Sequence, residues 1–578
     1  MSVDIKKHIA VELAALCNMQ PDEMEAFIEI PPQTDLGDYA LPCFKLAKTM
    51  HKAPPVIATE LAGGIAGKLP ELTEIRQTGG YLNFFLNRSS YIKETIGKVL
   101  TDPHAVFPTA DLHDKTVLVE FSSPNIAKPF HIGHAFTTIL GQVIANMYQT
   151  AGYNVVKLNH LGDYGTQFGK LIVAYRLWGD AKALETDPIK ELLRIYVKFH
   201  KEAKEKPELE NQARFAFKCL EEGRPEEKAM WQKFRDLSLV EFNRVYDRLG
   251  IKFDNYNGES FYSDKIPAVV EMLRQKGLMV ESDGAQVVQL DDLKLPPCII
   301  LKSDGTTIYA SRDLAAILYR DATWHFYKNI YVVGTPQALH FRQVFAVLKK
   351  AGYDCADRCE HVGFGLVKFP EGKMSTREGD VIFLEDLLSE AVAKTLEIIR
   401  KNAAERYEDM SEAEQADIAE KVGLGAVTYA FLRNGRERDI VFSWEEMLNF
   451  EGDTAPYLQY TYARAHSMLR KAGVVNAKEQ LLAAVAAGSL NEESEFNLCR
   501  QIEALAAAFN NALKNNEPSI LAKQINAVAH AFNKFYTECP ILKAEGELRT
   551  SRLALAMATC FALKQGLSIL NIQVVERM

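Results

Sequence analysis

The chain has 578 residues, of which 47% are hydrophobic and 25% are charged, with a net charge of −9 and nine cysteines. This length exceeds what one core holds and predicts roughly two to four domains of ordinary globular composition. The odd, scattered set of cysteines argues against a disulfide framework, and the negative charge argues against broad, non-specific nucleic-acid binding.

The N-terminus lacks the marks of export. The segment MSVDIKKHIAVELAAL alternates charged and apolar residues at helical spacing, without the continuous apolar core of a signal peptide. No apolar run approaches the roughly 20 residues that a membrane helix needs. We therefore expect a cytoplasmic protein with reduced thiols and no membrane partner.

Strand and helix signals in the first part of the chain predict two different domains. Residues 1–110 are predicted to be a small α+β domain, in which helical stretches flank the strand-like segment GGYLNFFL. A continuous β-rich segment at 117–121, a Ser/Pro/Asn loop and a helix at about 130–148 follow. A second strand and a helix at about 167–178 complete a βαβ unit, which predicts a buried parallel sheet.

The later domain boundaries follow from changes in these patterns. The pattern over about residues 179–294 is mostly charged amphipathic helix, and a buried-strand segment, IYVVG, resumes at 330–334. We predict an α/β doubly wound, Rossmann-type catalytic domain at 111–384, interrupted by that helical insertion. Strand-like segments vanish after it, so residues 385–578 are predicted to form a C-terminal α-helical bundle.

The segment SPNIAKPFHIGH places His131 and His134 three residues apart, shortly after Pro129. Proline is favoured in the first turn of a helix, so a helix is predicted to start there, at the carboxyl end of the first sheet strand. Open α/β sheets bind ligands at this edge, and helix N-termini attract phosphate. Gly133 lacks a side chain, so a flat base can lie against the backbone. The pattern predicts that His131, Gly133 and His134 bind a nucleoside triphosphate.

Two other interpretations of the histidine pair are weaker. A zincin helix needs histidines four residues apart with a glutamate between them, and neither feature is present. Cys355, Cys359 and His361 have no second Cys/His pair at ligand spacing, so no metal ligand from the protein is predicted. The plain alternative is a pair of structural histidines at a helix start.

A second segment, GFGLVKFPEGKMSTREGDVIFL, carries Lys373, Met374, Ser375 and Arg377 in a glycine-flanked loop. A mobile basic loop opposite a histidine-bearing helix start can clamp a triphosphate and stabilise the charge that develops in phosphoryl chemistry. Taken alone, such a loop is usually solvated surface. Together with the helix start, the loop predicts Lys373, Met374 and Ser375 as further ATP-binding residues.

These motifs resemble the signatures of a known family. HIGH and KMSTR are similar to the two signatures of class I aminoacyl-tRNA synthetases. Five further segments resemble arginyl-tRNA synthetases in particular, in the order of that family. They are SPNIAKPFHIGH, LNHLGDYGTQFG, GESFY, YASRDLA and VVGTPQALHFRQVF. The resemblance extends through the N-terminal domain, the insertion and the C-terminal bundle.

The resemblance implies a reaction and its partners. L-Arginine and ATP, with Mg²⁺, would form arginyl-adenylate and diphosphate, and the arginyl group would then pass to the 3′ end of tRNA(Arg), releasing AMP. The substrate carboxylate attacks in line, so no protein nucleophile is required. The resemblance also implies a monomer and a dependence of activation on bound tRNA.

One position departs from the family pattern. Class I enzymes usually carry a second lysine in the signature loop, where this chain has Thr376. Arginyl enzymes of this type are thought to compensate with a lysine before the histidine signature, and Lys128 occupies that position. The expected catalytic groups are therefore His131 and His134 at the α-phosphate, with Lys128 and Lys373 as cationic support.

The segment YASRDLA predicts a pocket for a guanidinium group. Tyr309 and Asp313 are four residues apart and share a helix face, so Asp313 can pair with the guanidinium while the Tyr309 hydroxyl accepts a further hydrogen bond. The alternative is an Arg312–Asp313 charge pair on a surface helix. The resemblance adds Glu259 as a second carboxylate for the guanidinium. It also implies that Asn125, Gln337 and Glu120 lie around the α-amino end of the substrate.

Residues toward both ends of the chain are expected to bind tRNA. Tyr457, Tyr460, Arg464 and Ser467 share one face of a predicted helix, and this pattern suits unstacked bases. Pattern alone favours an amphipathic core helix, whereas the resemblance implies an anticodon-reading helix. The resemblance further implies that Met578 lies near the anticodon loop. Asn83 and Phe85 would meet the tRNA elbow, with buried strand residues as the alternative.

Two other functions could account for some of the same motifs. A nucleotidylyltransferase can share the His-x-Gly-His helix start, but it does not explain the long C-terminal helical region. A non-catalytic tRNA-binding paralogue would be expected to lose His131, His134 or Lys373, and all three are present.

Overall fold

The computed structural model describes residues 5–368, 382–406, 410–485 and 489–578. The chain divides into two compact units. The first unit comprises Met1–Val106, Arg464–Ala504 and Ala527–Gln565, and the second comprises Phe107–Ala463, Leu505–Asn526 and Gly566–Met578. Among the described residues, no helix has the length and apolar character needed to cross a membrane.

The N-terminal part of the first unit is an α+β fold, as predicted. Its elements are α1 (Ile5–Cys17), α2 (Pro21–Phe27), β1 (Tyr39–Pro42), α3 (Ala47–Met50), α4 (Pro54–Ile65), β2 (Leu72–Thr78), β3 (Tyr81–Leu86) and α5 (Arg88–Thr101). The strands form an antiparallel sheet in the order β1–β3–β2. GGYLNFFL supplies β3 and its turn, where Gly79 has φ +58°, a conformation that glycine adopts without strain.

The second unit begins with the predicted parallel sheet and its insertion. Its elements up to the signature loop are β4 (Leu112–Glu120), α6 (Ile132–Thr150), β5 (Tyr153–Leu158), α7 (Thr166–Trp178), α8 (Ala181–Thr186), α9 (Pro188–Glu202), α10 (Glu208–Glu221), α11 (Pro225–Arg248), α12 (Glu259–Tyr262), α13 (Ile266–Gln275), β6 (Met279–Ser282), β7 (Ala285–Val288), β8 (Cys298–Leu301), α14 (Tyr309–Trp324), β9 (Lys328–Val332), α15 (Ala338–Lys350), β10 (Cys359–Val362) and β11 (Val367–Lys368).

The four-stranded sheet has the order β10–β9–β4–β5, and all its neighbours are parallel. Leu118 of β4 belongs to the same buried cluster as Leu314 of α14 and Val344 of α15, whereas α6 packs against β4 and β5. The chain leaves β4 toward β5 on one side and later returns to β9 on the other. The crevice between β4 and β9 is therefore the switch point at which such sheets bind ligands.

One local prediction in this region is wrong. Helix α6 begins at Ile132 with His131 as its N-cap, so Pro129 lies in the preceding loop. Ser122, Ser123 and Ala127 in this loop have positive φ. The preference of proline for the first turn of a helix does not predict such a loop.

The insertion is mostly helical, as predicted, and β6 and β7 form a hairpin within it. Asp283 and Gly284, both at positive φ, make the two-residue Asp-Gly turn typical of such hairpins.

The remaining elements are almost wholly helical, as predicted. They are α16 (Leu384–Arg406), α17 (Glu412–Leu432), β12 (Ile440–Val441), α18 (Trp444–Met447), α19 (Ala455–Lys471), α20 (Lys478–Ala484), α21 (Glu493–Asn515), α22 (Pro518–Glu538) and α23 (Gly546–Ile569). The exception is β12, which pairs with β11 in parallel. A strand of two residues is too short to leave a periodic pattern.

Candidate active site

The two histidines of the signature form a reciprocal cap at the start of α6. His131 Nδ1 accepts a hydrogen bond from the Gly133 backbone N–H at 3.0 Å, and the His131 backbone N–H donates to His134 Nδ1 at 3.2 Å. The ring centroids are 4.1 Å apart. The pair thus has a structural role, because it satisfies backbone groups that a helix start leaves unpaired.

The same bonds fix the chemistry of the rings. Burial lowers the pKa of His134 to about 3, with the charges of His131 and Lys128 acting in the same direction. Burial, followed by the charge of Lys128, also lowers the pKa of His131. Both rings are therefore neutral at pH 7. Because each Nδ1 accepts, each neutral ring carries its proton on Nε2 and offers one N–H donor to a ligand.

Gly133 is needed for this arrangement. A Cβ atom at this position would lie 2.7 Å from His131 Cε1, a separation that real Cβ contacts essentially never show. Gly133 itself is exposed. The open backbone here agrees with the expectation that a flat group lies against it.

The loop between β4 and α6 is held by backbone contacts with the loop after β5. The Ile126 N–H donates to the Gly162 carbonyl at 3.2 Å, and the Gly162 N–H donates to the Pro124 carbonyl at 3.1 Å. A Cβ at Gly162 would lie 2.3 Å from Asn125 Oδ1, so the glycine permits this approach. Lys128 is exposed, yet enough protein surrounds its ammonium group to lower its pKa by desolvation.

The chain that follows the second signature returns to the histidine helix. The Ile132 N–H donates to the Ile382 carbonyl at 3.2 Å, and the Leu384 N–H donates to the Phe130 carbonyl at 2.8 Å. Residues 369–381 are outside the described residues. Three predicted ATP-binding residues, Lys373, Met374 and Ser375, fall in this range. Thr376 and Arg377 also lie there.

The predicted guanidinium pocket lies at the start of α14. Tyr309 and Asp313 both belong to this helix, and Tyr309 is 67% exposed. His340 Nε2 and Asp313 Oδ2 are 2.6 Å apart. The sequence analysis missed His340, which lies in the quoted segment VVGTPQALHFRQVF but has no spacing that ties it to Asp313.

Glu259, the second predicted carboxylate, lies on α12 and pairs with Arg312 of α14. Arg312 Nη1 lies 3.1 Å from Glu259 Oε2, and both side chains are largely buried. Burial raises the pKa of Glu259 to about 7. Arg312 opposes this shift, and Asp313 and Asp163 add to it. Glu259 therefore titrates near neutrality when no ligand is present.

Asp163 orients the short helix that carries Glu259. This aspartate is fully buried and accepts hydrogen bonds from the Ser260 backbone N–H at 2.9 Å and from the Ser260 hydroxyl at 2.8 Å. Arg235 Nε also lies 3.2 Å from its carboxylate. The sequence analysis quoted LNHLGDYGTQFG without assigning Asp163 this role, because nothing local links it to Ser260.

The residues expected around the α-amino end come from the loops and strand ends of the sheet. Glu120 ends β4 and is 2.5 Å from Arg320 Nη2, with both side chains buried. Asn125 and Gln337 are exposed in the loops that follow β4 and β9, which are adjacent strands. The structure thus places these residues at the switch point, with the Glu120 charge already balanced by Arg320.

The predicted anticodon helix is α19. Tyr457 and Tyr460 of the second unit are partly exposed, as are Arg464 and Ser467 of the first unit, whereas most of their neighbours on the helix are buried. Met578 is only 4% exposed and belongs to a buried cluster against which Tyr460 packs.

Arg464 lies within the first unit. Its Nη1 donates to Asn533 Oδ1 at 2.5 Å, and its guanidinium lies 5.3 Å from the centre of the Tyr536 ring.

The predicted elbow residues lie in β3. Asn83 is 3% exposed, and its side chain donates to the Thr78 hydroxyl of the neighbouring strand β2 at 3.3 Å. Phe85 is partly exposed, and the Arg76 guanidinium covers its ring at 4.3 Å. Phe85 with Arg76 thus forms the accessible part of this predicted contact.

None of the described residues forms a group of three or more His, Cys, Asp or Glu side chains that could hold a metal ion. His361 Nε2 instead lies 2.8 Å from the Val333 carbonyl oxygen, and its ring stacks on Phe341 at 4.8 Å. Burial raises the pKa of the Cys359 thiol to about 12, which disfavours a thiolate ligand.

The parallel sheet and the histidine-capped helix at its switch point define a class I aminoacyl-tRNA synthetase. Residues 95–444 match the family model for tRNA synthetases class I (R), catalytic domain. Residues 4–86 match the arginyl tRNA synthetase N terminal domain, and residues 458–578 match the DALR anticodon binding domain. The chain therefore belongs to the arginyl-tRNA synthetase family.

Individual relatives agree with this assignment. The chain is 51% identical to an arginine–tRNA ligase of Clostridium botulinum (strain 657 / Type Ba4) and 50% identical to one of Clostridium acetobutylicum, with full coverage of both chains in each case. The arginyl-tRNA synthetase of Thermus thermophilus has a TM-score of 0.80 at 25% identity, covering 100% of each chain.

The arginyl-tRNA synthetase of Plasmodium falciparum gives the same TM-score of 0.80 and the same 25% identity, over 99% of this chain and 98% of that one. The predicted family, fold class and enzymatic nature are confirmed. The nucleotidylyltransferase and the non-catalytic paralogue lose their support.

Proposed function

We propose that this chain joins L-arginine to tRNA(Arg) at the expense of ATP, and that the capped start of α6 and the carboxylate pocket of α14 are its active site. The observation that carries this proposal is the pair of neutral imidazoles with their Nε2–H groups available at the carboxyl end of β4. In the first step the arginine carboxylate attacks the α-phosphorus of ATP, and diphosphate leaves. In the second step a ribose hydroxyl at the 3′ end of tRNA displaces AMP.

The histidines act as preorganised donors. His131 and His134 donate through Nε2 to oxygens of the α-phosphate, where negative charge is redistributed in the transition state. Neutral donors suit this task because each ring keeps its Nε2 proton at neutral pH. Gly133 leaves room for the nucleotide beside the rings.

Lys128 and Lys373 supply positive charge to the triphosphate. Lys128 comes from the loop that also carries Asn125, three residues before the N-cap of α6. Lys373, with Met374 and Ser375, comes from the loop whose C-terminal end is hydrogen-bonded to the same helix start. The two lysines would therefore approach the phosphates from different chain segments.

The arginine side chain is bound by two carboxylates and a phenol. Asp313 and Glu259 accept from the guanidinium, and the exposed Tyr309 hydroxyl can accept a further bond. A planar, forked cation satisfies two such acceptors, whereas the point charge of lysine cannot satisfy both in one geometry. The α-amino end would be held by the residues at the switch point, which are Asn125, Gln337 and Glu120.

The tRNA contacts are proposed on two surfaces. The exposed face of α19, with Tyr457, Tyr460 and Arg464, would contact anticodon bases, and the buried Met578 would support Tyr460 from below. Phe85, with Asn83 two residues before it in β3, would meet the tRNA elbow. This division corresponds to an elbow-binding domain at 1–110, a catalytic domain at 111–384 and an anticodon-binding domain at 385–578.

We further propose that Mg²⁺ arrives with ATP, as the family resemblance implies. We propose, as the family resemblance implies, that the enzyme is monomeric and cytoplasmic.

Formation of arginyl-tRNA tests the function. The chain should attach arginine to tRNA(Arg) and should not attach lysine. Charging of tRNA with another amino acid, or none with arginine, would overturn the proposal.

A further inference from the structure

A residue of the chain itself occupies part of the pocket expected for the substrate guanidinium. Arg312 is 12% exposed, and its Nη1 is 3.1 Å from Glu259 Oε2. Its guanidinium lies 5.2 Å from the Tyr309 ring centre and 5.7 Å from that of Tyr164. The arginine is thus placed between two aromatic rings and a carboxylate.

The structure beneath Arg312 holds it in place. The Tyr164 hydroxyl donates to Glu221 Oε1 at 2.8 Å, so α10 of the insertion fixes the ring that lies against the guanidinium. Arg312 Nε is buried and has no hydrogen-bond partner among the described residues. A buried donor left unpaired destabilises the fold. Packing stability alone therefore does not account for this arrangement.

We propose that Arg312 is a positioning residue that favours the ionised form of Glu259 and orients its carboxylate, and thereby makes the pocket select arginine over its neutral isostere citrulline. The inference rests on the proposed assignment of Glu259 and Asp313 to the substrate guanidinium. In citrulline, a ureido oxygen replaces one guanidinium nitrogen. The two amino acids have nearly the same shape, so selection between them must come from charge and hydrogen bonding.

The charges around Glu259 show why such a residue is needed. Asp313 on α14 and Asp163 after β5 both raise the pKa of Glu259, and Arg312 is the cation that opposes them. Further from Glu259, Arg235 pairs with Asp163, and His340 pairs with Asp313. Without Arg312, burial beside two carboxylates favours the protonated form of Glu259 at neutral pH.

The protonation state of Glu259 decides which ligand fits. An ionised carboxylate only accepts hydrogen bonds, so it pairs with guanidinium N–H groups and repels the ureido oxygen of citrulline. A protonated carboxyl has an O–H donor that can bond to that oxygen, and it no longer attracts a cation. Loss of the Glu259 charge should therefore weaken arginine binding and strengthen citrulline binding together.

The test compares Arg312→Gln, Arg312→Lys and the control Arg214→Gln, which changes an exposed arginine of α10. In each protein, the KM for arginine and the inhibition constant of citrulline are measured in ATP–diphosphate exchange with tRNA present, across the neutral pH range. A shift of one pKa unit is a tenfold change in protonation, so we expect Arg312→Gln to lower the arginine-to-citrulline preference about tenfold or more at neutral pH.

The pH profiles distinguish this role from a purely structural one. Arg312→Gln should move the midpoint of the arginine KM profile to higher pH, Arg312→Lys should restore the midpoint, and Arg214→Gln should match the wild type. A KM raised equally at every pH, with citrulline inhibition unchanged, would overturn the proposal.

The wild type alone provides a second test if Arg312→Gln fails to fold. As pH falls through about 7, where Glu259 titrates, the arginine KM should rise while citrulline inhibits more strongly. Parallel changes for the two ligands would contradict the proposal. Failure of the pocket assignment itself has a different signature, because Glu259→Gln would then leave the arginine KM unchanged at every pH.

Discussion

His340 Nε2 lies 2.6 Å from Asp313 Oδ2, so the aspartate proposed to bind the guanidinium is already oriented by a histidine from α15. Asp313→Asn should keep the shape of the side chain and remove its charge. Loss of one partner of a desolvated charged pair costs about 2–5 kcal/mol, so the arginine KM should rise steeply while the ATP KM changes little. Steady-state kinetics with each substrate varied in turn would check this, and an unchanged arginine KM would reject the pocket.

The raised pKa of Glu259 predicts that arginine binding is linked to proton release. Burial raises this pKa to about 7, so a large fraction of the free enzyme is protonated at neutral pH. A bound guanidinium favours the ionised carboxylate and lowers the pKa again. Arginine affinity should therefore increase as pH rises through about 7, with release of a proton on binding.

Calorimetry in buffers of different ionisation enthalpy measures this proton directly. Glu259→Gln is the control, because it removes the titrating group and should abolish the buffer dependence. A buffer dependence that persists in the variant would assign the proton to another residue.

Lys128 should carry the charge that Thr376 lacks. Removal of one preorganised charge that acts mainly in the transition state costs about 3–4 kcal/mol, so Lys128→Ala should lower kcat about 10²- to 10³-fold. The ATP KM should change less, because the ground-state phosphates keep Lys373 and the start of α6.

A second substitution tests whether the two positions are equivalent. Thr376→Lys in the Lys128→Ala background should recover part of the lost rate in ATP–diphosphate exchange. A single variant with near-normal kcat would reject the role of Lys128, and a slow double variant without recovery would reject the exchange of positions.

Arg464→Ala should weaken tRNA binding through the exposed face of α19. Contacts of this kind with unstacked bases are worth roughly 1–3 kcal/mol each, and the loss of a charge should also reduce the salt dependence of binding. Aminoacylation at saturating tRNA should fall much less. Filter binding at several salt concentrations, with Arg214→Ala as the control, would check this, and unchanged affinity and salt slope would place the anticodon face elsewhere.

The elements of this fold were predictable where their patterns are long and periodic. The buried-strand segments at β4 and β9, the helices α6 and α7 and the shared face of α19 follow from hydrophobic spacing within one segment. The two-residue strand β12 does not, and the β6–β7 hairpin was missed although Asp283 and Gly284 mark its turn.

The site was predictable in its residue types but not in its internal pairing. His131, Asp313 and Glu259 are visible through their motifs. The partners that the structure gives them come from distant segments: Asp313 pairs with His340, and Asp163 holds the backbone beside Glu259. No sequence spacing encodes such contacts, because the fold creates them. The cap by His131 is local, yet histidine is not among the usual capping residues, so the helix was expected to begin at Pro129.

The measurement that tests the central claim most directly is arginine-dependent ATP–diphosphate exchange by His134→Gln, with tRNA(Arg) present. A glutamine at this position can still accept from the His131 backbone N–H, as in a common helix cap, so the helix start should persist. The variant lacks the imidazole Nε2–H that we assign to the α-phosphate. The account predicts that kcat falls about 10²- to 10³-fold, with the arginine and ATP KM values near those of the wild type. Exchange at the wild-type rate would show that the histidine only caps the helix and would contradict the account.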